Sequence, residues 1–354
     1  MHAGIWLSAR AAAHYSQNED AMRELQFVLR DSGIDLKTLN GFPYGSFHKN
    51  VVKADVYTPG WQTVERLSYT CRLAEILVSS LPEQADSGTI STLPLGYSQH
   101  WGDLEQQQAE KNIRDLLVFL DRIAQRTGKK ILVCIEMEPG CVLESTRQVL
   151  QFFSDTVQRM PGSEYLGVCY DVCHQAVMFE DSFDSLTQLA GAGIPIGKIQ
   201  ISNALEVGFA DIKRATDLLH RYAEPKYLHQ VRSLDSSGKL LESSDLELAL
   251  HGGIPTVDDW RIHFHVPLHR ESLHDSSLKT TQCEVGGVFE FLSRHPEIRP
   301  DLEVETYSWH VLPEAYRPMN DDELIAGLCE ELFWVESMLD SHGLLLRDQG
   351  LQKL

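Results

Sequence analysis

The chain has 354 residues, 43% of them hydrophobic, enough for one large core and more than the roughly 250 residues of an eight-fold strand–helix barrel. Its 51 acidic residues outnumber 31 basic ones for a formal charge of −20, a field that opposes nucleic-acid phosphates rather than drawing them in. No apolar run approaches the roughly 20 residues of a bilayer span, the opening residues lack an export-signal pattern, and seven cysteines without a CxxC pair make no disulfide framework; no membrane insertion, reduced thiols and a cytoplasmic location are expected.

In chain order, short apolar runs that end in polar residues alternate with helical stretches. GIWLSA (4–9), KTLNGF (37–42) and TISTLPLG (89–96) come first. Ile113, Leu116, Leu117, Leu120 and Ile123 then recur at helical spacing, with Gly128 placed to end that helix. KILVCIEME (130–138) follows, then the helical set Val149, Leu150, Phe153 and Val157, then YLGVCYDVC (165–173) and KIQISNA (198–204). The long 205–260 stretch holds SLDSSGKLLESSD (233–245), a polar segment that reads as an insertion or hairpin. WRIHFHVP (260–267) and LEVETY (302–307) bring the candidate strands to eight, and Leu324, Leu328, Leu332, Val335 and Leu339 form a last helix behind Asn320, a good N-cap.

Strands alternating with helices imply right-handed crossovers and a parallel sheet. The expected fold is therefore α/β, a TIM (β/α)8-type barrel forming one domain over 1–354. WRIHFHVP has a second reading as a strand on the rim. One stave is then missing, with the N-terminus its expected place.

Several runs end in residues that metals favour: Glu136 and Glu138, Asp171 and His174, Gln200, His263 and His265, and Glu305. In a parallel barrel the C-terminal strand ends converge on one mouth, so these become neighbours. Glu136, Asp171 and Glu305 would repel one another unless a cation sat between them. Carboxylate-rich sets favour Mg²⁺ or Mn²⁺, and added imidazoles move the preference toward Zn²⁺ or Co²⁺. His263 and His265 alternate with Ile262 and Phe264, which puts both imidazoles on one face. Asn40, Tyr44, His48 and Lys53 form a candidate cap over a ligand.

The ordered set Glu136, Asp171-Val-Cys-His174, Lys198-Ile-Gln200 and Glu305 resembles the xylose-isomerase-like superfamily of barrels, which holds sugar isomerases, ketose 3-epimerases and the endonuclease IV type of nuclease. LNGFPYGSFH (39–48), KADVYTPGW (53–61), HFHVPLH (263–269) and EVETYSWHVLP (303–313) are similar to EboE-type metabolite traffic proteins within it. The resemblance implies metal ligation by Glu136, Asp171 and Glu305, with His174 beside the metal touching substrate or ligating. It further implies an acid–base pair, Glu136 and Glu305, at a sugar carbon. Where the epimerases and the nuclease usually carry a histidine, this chain has Gln200. The metal set is then Glu136, Asp171, Gln200, His263, His265 and Glu305, with His263 or His265 filling the gap.

The expected activity is that of a metal-dependent sugar or polyol isomerase or epimerase acting on, or handling, a small polyhydroxylated or phosphorylated metabolite. A metabolite-binding or trafficking protein without turnover is the alternative. An endonuclease IV-like phosphodiesterase is the third, and the −20 charge argues against it. The oligomeric state is open, a homo-oligomer included.

Overall fold

The computed structural model describes residues 2–45, 52–274 and 276–345. Seven parallel strands form its main sheet: β1 (His2–Trp6), β2 (Asp35–Asn40), β3 (Ser87–Thr92), β4 (Lys130–Glu136), β5 (Leu166–Asp171), β6 (Ile196–Ile201) and β13 (Asp301–Val304), hydrogen-bonded in that order. They curl into a nearly closed barrel of the TIM type, with one seam between β1 and β13, which do not pair among the described residues. WRIHFHVP is not a stave. Only Trp260–Ile262 (β10) is extended, and it pairs antiparallel on both sides.

The alternation of side chains explains the barrel. Ile90, Val133, Ile135, Val168, Tyr170, Ile199 and Ile201 belong to the main hydrophobic core. Their alternates point inward, and beside Leu132, Cys134 and Cys169 most of them are polar. Thr89 donates to Asp301 at 2.7 Å and Ser91 to Asn40 at 2.9 Å. Asn40 donates to Glu303 at 3.1 Å, and the buried Lys198 bonds Asn40 at 2.5 Å and pairs with Glu303. Branched aliphatics usually fill such an interior; here a hydrogen-bonded lattice does. Its phase is set at Gly197, where the β5–β6 register shifts between Val168 and Cys169 so that Lys198 and Gln200 face Cys169 and Asp171. A Cβ at Gly197 would lie 2.3 Å from the Leu132 side chain and 2.6 Å from the Cys134 sulfur, so any other residue in this bulge would force those side chains aside. At the seam, Glu303 packs where a Cβ on Gly4 would be, 2.2 Å from its carboxylate.

The crossovers are α1 (Ala9–Gln17), α2 (Glu19–Asp31), α3 (Val64–Ser80), α4 (Asp103–Thr127), α5 (Thr146–Asp155), α6 (Val172–Val177) and α7 (Ser182–Gly191). Gly128 ends α4 at φ 72°, and Ser145 opens α5 through a capping box with Gln148. After β6 the chain builds a second, antiparallel sheet from β7 (Leu205–Val207), β8 (Val231–Leu234), β9 (Leu240–Ser243), β10, β11 (Ser272–Leu273) and β12 (Leu278–Thr280). Within it lie α8 (Ile212–Leu219) and the single turn α9 (Leu246–Leu248). The 233–245 segment is the hairpin of β8 and β9. This sheet has its own core around Leu205, Val231, Trp260, Ile262 and Phe264. Finally α10 (Gln282–Arg294) and α11 (Asp321–Ser341) flank β13, with Asn320 capping α11 through the Glu323 N–H. No described helix is long and apolar enough to cross a membrane.

Candidate metal centre

The barrel mouth and the segment leaving β10 meet over a cavity of about 430 Å³. Staves supply its floor: Glu136 ends β4, Asp171 ends β5, Gln200 lies on β6 and Glu305 follows β13. The stretch after β10 supplies one wall. Ile262 and Phe264 sink into the core of the second sheet, which turns His263 and His265 the other way, toward His174. All three histidines are buried.

Hydrogen bonding fixes their tautomers. The Nδ1 of His174 lies 2.9 Å from the Met137 carbonyl, that of His265 2.8 Å from the Glu305 carbonyl, and that of His263 2.7 Å from Gln230 Oε1. The Gln230 orientation follows from its amide nitrogen, which donates to the Pro139 carbonyl at 2.9 Å and to Tyr57 at 2.8 Å. Each partner is an oxygen acceptor, so each Nδ1 carries the proton and each Nε2 a lone pair. The Nε2 atoms of His174 and His263 then stand 3.1 Å apart with no proton between them. Two lone pairs at that distance repel unless a cation joins them. Histidine ligands to metals show this same pattern, with the far nitrogen donating to a carbonyl.

Further acceptors converge there. Asp171 caps α6, its Oδ1 taking the His174 N–H at 3.0 Å and the Ser202 hydroxyl at 2.8 Å. The Asp-x-x-His spacing is thus first a helix cap, which leaves Oδ2 over. Asp171 Oδ2, Glu136 Oε2 and His265 Nε2 are buried without a hydrogen-bond donor among the described residues. Ligand atoms of Asp171, His174 and His265 lie within 4.8 Å of one another, as do those of Glu138, His174 and His263, and those of Cys173, His263 and His265. This donor set fits a divalent cation.

The electrostatics agree. Burial, then the charges of Glu305, Asp171 and Glu138, push the Glu136 carboxyl well above its ordinary range. Burial, Asp171 and Glu303 do the same to Glu305. Burial raises Glu138 to about 8 despite the Tyr57 hydroxyl that donates to it at 2.7 Å. Burial lowers His174 to about 4 and depresses His263 and His265. Burial and crowding therefore favour neutral imidazoles and oppose full ionisation of the carboxylates.

Of the residues expected at the mouth, Glu136, Asp171, His174, His263, His265 and Glu305 are brought together. Gln200 is beside them in another posture: its amide donates to Glu305 Oε2 and its carbonyl takes the Cys169 thiol at 3.3 Å. Asn40 belongs to the barrel lattice, Tyr44 packs on Tyr69, Lys53 pairs with Asp245 at the cavity edge, and His48 lies outside the described residues. Sequence reasoning missed Gln230 and Tyr57, which act through other side chains, and Tyr307, whose ring lies 4.5 Å from that of His265. Only the inward phase of Lys198 with Gln200 could have been read from alternation.

No protein-family model matches the sequence, and no curated protein matches it. Solved structures of similar outline include a 3-keto-D-glucoside 4-epimerase, YcjR, from E. coli (12% identity, 92% of this chain and 87% of that one, TM-score 0.46). A xylose isomerase-like TIM barrel protein from Mycobacterium smegmatis in complex with magnesium gives 12% identity, 93% and 80% coverage and TM-score 0.48. A D-tagatose 3-epimerase-like protein gives 11%, 95% and 98%, and 0.48. At these TM-scores the likeness carries no weight for the chemistry, which rests on this chain's own side chains.

Proposed function

We propose that this protein is a metal-dependent isomerase- or epimerase-like barrel acting on a small polyhydroxylated metabolite. The observation that carries the reading is the pair of unprotonated Nε2 atoms of His174 and His263, 3.1 Å apart, beside the unpartnered Asp171 Oδ2 and His265 Nε2. Asp171, His174, His263 and His265 would hold the ion, with Glu136 and Glu305 alongside. Three imidazoles move the preference from Mg²⁺ toward Mn²⁺, Co²⁺ or Zn²⁺. Such an ion, when bound, supplies Lewis-acid polarisation of a substrate oxygen.

The chain's own residues do the rest. Glu136 and Glu305 have carboxyls raised well above their ordinary range by burial and by neighbouring carboxylates, and a carboxyl raised in this way is a better proton acceptor than an ordinary one. Gln200 holds Glu305 Oε2, fixing that carboxylate, while Glu136 Oε2 has no such tether. Glu305 is accordingly assigned the proton abstraction at carbon and Glu136 its return. Trp6, Phe42, Tyr227, Tyr307 and Trp309 line the cavity and offer flat apolar faces with a few polar groups, the usual make-up of a small-molecule site. The EboE-like runs support a place in handling a biosynthetic or exported metabolite. A carrier without turnover is the second reading, favoured by the amide of Gln200 tying up one oxygen of Glu305.

Elemental analysis of the purified protein beside Asp171→Ala tests the centre. About one transition-metal ion per chain in the wild type, absent from the variant, is expected. A wild-type protein that neither contains nor takes up Mn²⁺, Co²⁺ or Zn²⁺ would sink the enzyme reading. With metal established, a polyol and ketose screen separates enzyme from carrier.

A further inference from the structure

Glu331 sits on α11, a helix that contributes no residue to the cluster of ligands, and is fully buried. Its Oε1 takes the Leu268 N–H at 3.0 Å and the Thr306 hydroxyl at 2.6 Å, and its Oε2 takes the Trp309 indole N–H at 3.1 Å. Those three donors come from the two segments that build the cavity's histidine side. Leu268 lies three residues beyond His265, and Thr306 follows Glu305. The same segments are joined to each other, since Ser308 donates to the His265 carbonyl and His265 Nδ1 to the Glu305 carbonyl. A buried carboxylate that spends both oxygens on three donors, each from a different point of the two segments, fixes their separation.

We infer that Glu331 is a positioning residue that sets the place and tautomer of His265 by clamping the 263–268 segment to the 305–309 segment. The inference rests on the metal reading for its functional meaning and on the contacts alone for its geometry. Glutamine cannot replace it: whichever way the amide lies, its NH₂ faces at least one donor. Glu331→Gln should lower Co²⁺ affinity about 10–100-fold, as loss of a supporting contact does, and change the visible absorption of the bound Co²⁺. Val335→Ala, one turn along the same buried face, should leave that spectrum as in the wild type although it also loosens the helix. In metal-free protein labelled with ¹⁵N-histidine, the slowly exchanging Nδ1–H of His265 should be present in the wild type and in Val335→Ala and lost in Glu331→Gln. Retention of that signal in Glu331→Gln, or equal spectral change in Val335→Ala, overturns the inference. A wild type that takes up no Co²⁺ defeats the metal reading, and the imidazole signal still decides the role of Glu331.

Discussion

The floor and the wall of the cavity are built on opposite plans. On the floor the polar groups mostly answer one another: Gln200 holds Glu305, and beneath them Lys198, Asn40 and Glu303 form a closed set. On the wall, each imidazole is satisfied at Nδ1 and turned so that its Nε2 meets only other acceptors. The Lys198–Asn40–Glu303 set stands without a ligand, whereas the imidazoles, with Asp171 Oδ2 and Glu136 Oε2 of the floor beside them, carry a cost that a cation removes. The deeper floor is thus suited to holding shape, Glu136 and Glu305 to moving protons, and the rim where Asp171 meets the imidazoles to holding charge.

Three perturbations separate these roles. The largest effect is expected from Glu136→Gln and Glu305→Gln, which should lower turnover about 10²–10⁴-fold, the usual contribution of an acid or base, while metal per chain stays unchanged. Loss of metal in both variants would merge floor and wall into one ligand set. Next, Lys198→Met strands Glu303 in the barrel interior. Removing one partner of a buried ion pair costs about 3–5 kcal/mol, to be read in urea unfolding, with metal affinity of the folded protein unaltered.

The smallest effect is on pH. Glu138 holds its proton up to about 8, above the usual 4.5, while burial already keeps the imidazoles neutral. Glu138 has a ligand atom within 4.8 Å of those of His174 and His263, so a cation seated there displaces its proton, and affinity should rise with pH through this range by at most about tenfold per unit from this group. Calorimetry in buffers of different ionisation enthalpy would detect the released proton, and Glu138→Gln should flatten the slope. An unchanged slope in that variant would assign the proton elsewhere.

Much of this was legible in the sequence because alternation is local. Inward Glu136, Asp171, Gln200 and Glu305 could be read from polar residues closing apolar runs, and His263 with His265 from their alternation with Ile262 and Phe264. What was not legible depends on partners distant in the chain. WRIHFHVP has the composition of a stave, yet its ladder partners are β7 and β8, a choice no local pattern encodes. Gln230 and Glu331 look like ordinary polar residues, since their roles lie in what converges on them. Gln200 read as a ligand on the strength of its oxygen, which the structure gives to Cys169.

The clasp across the seam has a consequence for how the chain reaches this state. The first six staves lie beside their sequence neighbours in the sheet, so they can zip together in order as synthesis proceeds. Lys198 and Asn40, however, wait for Glu303, and the Asn40–Glu303 bond spans 263 residues. Until the last stave is made, the half-built ring carries the Lys198 ammonium without its ion-pair partner Glu303. Closing so long a loop is the slow search in a topology of this kind, and Lys198 gains its Glu303 partner only at that final step.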